Sequence, residues 1–93
     1  MWIITKDYVS DEGDVLNRTG KHSRDYNSER FALADKLEIR LFDDDGELYY
    51  DALATRERIE GTEERAFALL DWAMADAGCT ELQYFDKGEW HTL

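Results

Sequence analysis

The residues best equipped for chemistry in this 93-residue chain are its carboxylates. The densest group is Asp43-Asp44-Asp45-Gly46, followed by Glu47 and Asp51, with no Lys or Arg between Arg40 and Arg56. Clustered carboxylates suit hard cations such as calcium. That reading fails on position counting. With Gly46 at the sixth place of a twelve-residue EF-hand loop, the first ligand falls on Leu41 and the bidentate twelfth on Ala52. Soft ligands and nucleophiles are scarce. Cys79, His22 and His91 stand far apart, without metal-ligand spacing. A small enzyme using Cys79 or His91 is the third function class, but such a couple would have to be assembled in space, and a lone Cys just after a helical stretch reads as a small buried apolar residue. Gly13 to Lys21 ends in Gly-Lys, but six residues separate its glycines and His22 replaces the required hydroxyl residue, so it is not a phosphate loop. With 22 acids, carboxylate pairs are inevitable and none marks an acid–base couple. The chain therefore reads as non-enzymatic, with no catalytic residue, metal or cofactor.

Charge is the stronger signal. Eleven bases against 22 acids leave a net charge of −11. Such a chain repels phosphates, which argues against direct nucleic-acid binding and against anionic membranes. It attracts basic protein surfaces instead. Alternate residues on a strand lie about 6.6 Å apart, close to the phosphate spacing along one DNA strand, so acids on an exposed sheet can imitate a phosphate track. The candidate partner-binding residues are Asp43, Asp44, Asp45, Glu47, Tyr49, Asp51, Asp71, Trp72 and Asp76, with Tyr49 and Trp72 as apolar anchors. The competing reading makes the acids solubility residues and the aromatics parts of a small core. A further class is a structural, homodimerising domain joined through an open sheet edge or through Trp72. One Cys excludes an intrachain disulfide and suits a reducing, cytoplasmic setting. The start, MWIITKDY, lacks the basic leader and long apolar run of a signal peptide, and no run approaches a membrane span.

These residues need elements to position them. A chain of this length makes a single domain with a small core. Trp2 to Val9 alternates as a first strand. Residues 10–27 lack periodicity and read as a mobile loop. Within 15–30, Arg18, Lys21, Arg24 and Arg30 outnumber Asp25 and Glu29, so this loop can fold back on the acidic body. Ser28 to Lys36 is read as a short helix capped by Ser28. Leu37 to Leu53 is the strongest structural signal, a hairpin about the acidic turn. A two-residue turn at Asp45-Gly46 sets Phe42 opposite Tyr49 and Arg40 opposite Asp51. A type I turn with a left-handed Gly46 bulge shifts that pairing by one. A four-residue loop opposes Glu38 to Asp51 and is disfavoured by like charge. Ala54 to Gly61 reads as a charged connector. Thr62 to Ala77 is the clearest helix, with Thr62 as N-cap and Gly78 just past its end. Ala66, Phe67, Leu69, Leu70, Ala73, Met74 and Ala77 share its apolar arc, while Trp72 falls on the polar side between Ala68 and Arg65. Thr80–Phe85 and Glu89–Thr92 close the chain as a second hairpin about Asp86-Lys87-Gly88. The expected fold is α+β: an antiparallel sheet of four to five strands packed against one main helix, 62–77.

The segments MWIITKDY, FDDDGELYYDA and AGCTELQYFDKGEWHTL together resemble small acidic bacterial and phage proteins, a broad group that includes anti-CRISPR inhibitors. The resemblance implies an inhibitory role against a nucleic-acid-binding host complex. It transfers no functional residue, because those inhibitors share no common motif.

Overall fold

The structure, a computed structural model, describes residues 1–8 and 21–93. The expected loop at 10–27 falls largely outside the described residues, as does Val9 at the end of the first expected strand. Eight elements follow in order: β1 (Trp2–Asp7), α1 (Ser28–Leu33), β2 (Lys36–Phe42), β3 (Leu48–Thr55), α2 (Arg56–Glu60), α3 (Glu63–Ala77), β4 (Glu81–Asp86) and β5 (Glu89–Thr92). The strands form one antiparallel sheet in the order β1-β3-β2-β4-β5. The fold is α+β with one main helix. No helix among the described residues is long and apolar enough to cross a membrane.

Strand alternation puts Trp2, Ile4, Leu37, Ile39, Leu41, Tyr50, Ala52, Ala54 and Leu82 on one face, where they join Leu69, Leu70 and Ala73 of α3 in the core. Ala66 is buried on the same helix, but Phe67 is only half-buried and Met74 is exposed, so the buried stripe is narrower than the apolar arc. The helix begins where Thr62 accepts the Arg65 N–H and ends at Gly78, whose φ of 79° is left-handed. The opposite sheet face presents Glu38, Arg40, Asp51, Leu53, Gln83 and Phe85, none of them buried.

The central hairpin combines two of its expected registers. Gly46 N–H donates to the Asp43 carbonyl (3.2 Å) and Asp43 N–H to the Glu47 carbonyl (3.0 Å), with Gly46 at φ 81°. This is a type I turn with a left-handed Gly bulge, and it pairs Phe42 with Leu48. A second bulge, at Tyr49, restores the other register, so Leu41 faces Tyr50 and Arg40 faces Asp51. Opposite charges are thus opposed, and the Glu38–Asp51 pairing is avoided.

Three expectations need correction. Asn27, not Ser28, caps α1, its side-chain oxygen accepting the Arg30 N–H at 3.0 Å. The connector after Ala54 completes β3 and then forms α2, held by Arg56 against Asp35, Glu60 and Asp86. β1 does not alternate cleanly: a bulge between Ile4 and Lys6 turns Asp7 onto the buried face beside Tyr50. The closing hairpin forms as expected, turning at Lys87 (φ 53°) and Gly88 (φ 81°).

Candidate functional site

The hairpin turn is built around one carboxylate. Asp43 Oδ1 accepts the backbone N–H groups of Asp45 (3.0 Å) and Glu47 (2.8 Å). The Glu47 N–H, then the Tyr49 hydroxyl and the Asp45 N–H, hold the Asp43 carboxyl below the usual carboxylate range. The same contact with Asp43 raises the Tyr49 hydroxyl. The carboxylates of Asp43, Asp44 and Asp45 lie within 4.8 Å of one another. With Asp43 Oδ1 committed to two N–H donors, the geometry is that of a turn stabilised from within. Asp44, Asp45 and Glu47 are exposed.

Asp76 lies near this tip. Burial and then the charges of Asp43 and Asp76 raise the thiol of Cys79 to about 11, which places both acids around that wholly buried residue. The Tyr50 hydroxyl donates to Asp76, and Lys21 Nζ lies 3.8 Å from Asp76 and 3.1 Å from Asp7. Burial, then that bond to Asp76, pushes the Tyr50 hydroxyl strongly upward. At Lys21 the expected folding-back of bases onto the acidic body is thus realised. Cys79 is a protonated core residue. His91 is stacked on Tyr84 at 5.2 Å, with Nε2 3.2 Å from the Asp86 carbonyl.

The remaining candidates lie elsewhere. Asp51 is on the sheet face opposite the core, where Tyr8 donates to it at 2.6 Å and Lys6 and Arg40 are its cross-strand neighbours. Beside it a shallow groove of about 580 Å³ includes Glu38, Leu53 and Trp90, and the Arg40 guanidinium lies 3.6 Å from the Trp90 ring centroid. Asp71 is exposed on α3. Trp72 is half-buried, with Trp2 at 5.1 Å and Tyr50 at 5.5 Å. The nine sequence candidates therefore do not form one acidic track. Asp43, Asp44, Asp45, Glu47 and Tyr49 share the tip, Asp76 and Trp72 both meet Tyr50 beside it, and Asp51 and Asp71 stand apart.

Sequence reasoning missed a second concave region. A cleft of about 510 Å³ is lined by Trp2, Arg24, Asp25, Arg58, Arg65 and Trp72, among others. The helical wheel does place Arg65, Ala68 and Trp72 together, and all three line it. The contributions of α2 and of residues 22–25 had no readable signal, because they depend on how those segments dock. Ser23 fixes the latter: its N–H donates to the Trp2 carbonyl and its Oγ accepts the Trp2 N–H, at 2.9 and 3.0 Å.

In comparisons with known proteins, the chain matches no family model, no curated protein and no solved structure.

Proposed function

We propose that this protein is a non-catalytic binding module whose acidic hairpin tip engages a basic surface on a protein partner. The observation that carries this reading is the uneven distribution of ion pairs. Lys21, Arg56, Arg58 and Arg65 pair with Asp7, Asp76, Asp35, Glu60, Asp86, Asp25 and Glu57. Among the described residues no ion pair reaches Asp43, Asp44, Asp45 or Glu47. Charge without an ion pair among the described residues, concentrated on an exposed, internally braced turn, gives a field that steers a basic partner. The most concrete partner is a nucleic-acid-binding complex whose phosphate-accepting groove would take the tip, making the protein an anti-CRISPR-like inhibitor. Its lone Cys suits a cytoplasmic setting.

Capture of partners from a host lysate, followed by mass spectrometry, identifies the complex. The captured partner is then titrated against a variant carrying Asp44→Asn, Asp45→Asn and Glu47→Gln, which leaves the two bonds to Asp43 Oδ1 in place. Affinity is expected to fall about tenfold or more, and to weaken steeply with salt. Binding indifferent to both changes would sink the proposal. The alternative, self-association, draws on the edge position of β5 and on exposed Trp90. Sedimentation as a strict monomer at high concentration would remove it.

A further inference from the structure

We infer that the arginine-lined cleft between α2, α3 and residues 22–25 is a binding site for a phosphomonoester attached to a flat ring, of which a nucleoside monophosphate is the simplest example. It is separate from the acidic tip, and stands or falls independently of it.

Three observations converge. The first is charge. On a protein of net charge −11, Arg24, Arg58 and Arg65 line one cleft with a single lining carboxylate, Asp25, and the Met1 ammonium lies 3.6 Å from Asp25; with Glu57 on Arg65, four positive charges against two leave two in excess. Glu57 holds Arg65 Nη2 at 2.5 Å from outside the lining. Arg24 is exposed and forms no ion pair among the described residues. A phosphomonoester carries about −1.5 to −2 at neutral pH, which matches that excess.

The second is an unfilled donor. Arg58 is only 11% exposed. Its Nη2 meets both Asp25 oxygens at 3.2 and 3.3 Å, and Nη1 reaches the Arg65 carbonyl at 3.5 Å. Its Nε is buried with no acceptor among the described residues. Buried donors are ordinarily satisfied, and the planar guanidinium fork matches phosphate oxygens.

The third is shape. Trp2 and Trp72, tilted at 51°, supply apolar wall to the cleft, and its volume of about 510 Å³ is that of a small-molecule site. A flat ring against the Trp72 indole with its phosphate among the guanidiniums uses both halves of the cleft.

The test is a titration in a Trp90→Phe background, where the remaining tryptophans, Trp2 and Trp72, both line the cleft. Adenosine monophosphate, adenosine and inorganic phosphate are added up to about 10 mM, which spans weak specific affinities, with fluorescence and calorimetry as readouts. Adenosine monophosphate is expected to saturate and to bind at least about tenfold more tightly than either fragment, because each fragment fills only half the cleft. Arg24→Ser and Arg65→Gln, both at exposed positions, are expected to weaken it about tenfold each. Arg58→Lys, which keeps the charge facing Asp25 but loses the fork, should weaken it as well. No saturable binding of adenosine monophosphate, or binding unchanged in Arg24→Ser and Arg65→Gln, overturns the assignment. Equal affinity for inorganic phosphate overturns the ring.

Discussion

At the scale of single residues, Cys79 separates chemistry from packing. Its thiol is wholly buried after Gly78, and burial with two nearby carboxylates raises it from 9.0 to about 11. Because the thiolate is the reactive form, iodoacetamide at pH 8 should label native protein on the order of 100-fold more slowly than urea-unfolded protein. A folded-state value above the unfolded one means that the neutral thiol is favoured in the fold. Its contribution to stability is complete below about pH 9 and is lost as pH rises through about 11. Urea midpoints between those limits should fall, and fall less in Cys79→Ala. Tyr49 and Tyr50, also raised, act in the same direction. Asp43 has the opposite sign: its lowered carboxyl contributes above pH 3.8, and that contribution is lost as acid drives pH through its lower folded value. Asp43→Ala should lower the urea midpoint more than Asp43→Asn, whose side-chain oxygen can still accept the two backbone N–H groups.

At the scale of elements, α3 shows which signals are local. Thr62→Ala removes a cap worth about 1 kcal/mol. Gly78→Ala costs roughly 1–2 kcal/mol from the left-handed backbone alone, since a Cβ there would meet nothing within 4 Å among the described residues. Thermal or urea unfolding measures both. Caps and turn glycines act on their neighbours in the chain, which is why α3 and both hairpins are legible in the sequence. Trp72 is only half legible. Its place on the helix beside Ala68 and Arg65 follows from periodicity, but what covers it does not, since Trp2 and Tyr50 arrive from strands 70 and 22 residues away. α2 is held by Arg56 reaching to Asp35 and Asp86, contacts no local pattern encodes. The bulge in β1 hides Asp7 from an alternation count for the same reason. Of the candidate site, the acidic turn is readable as a turn; its gathering with Asp76 around Cys79 is not.

At the scale of the whole molecule, α3 runs from the arginine-lined cleft to the acidic end. Arg65 lines the cleft near one end, and Asp76 stands near the other, about 16 Å away at 1.5 Å per residue. Glu63 and Glu64 complement the helix start, but no base occupies the last turn. Asp76 therefore sits against the dipole and is held by Tyr50 and Lys21. A partner docking on the acidic end should feel the field before it makes contact. Stopped-flow or surface-based kinetics should show association slowing several-fold between about 50 and 500 mM salt, with dissociation changing less. A salt effect confined to dissociation would count against steering.

The two bulges of the central hairpin have one more consequence. The glycine bulge moves the strand pairing by one residue and the Tyr49 bulge moves it back, so the tip is geared separately from the sheet. The one-residue offset set by the turn at 43–47 is cancelled at Tyr49, so Arg40 still faces Asp51. The pairing of the turn is thus uncoupled from the alignment of the strands beneath it.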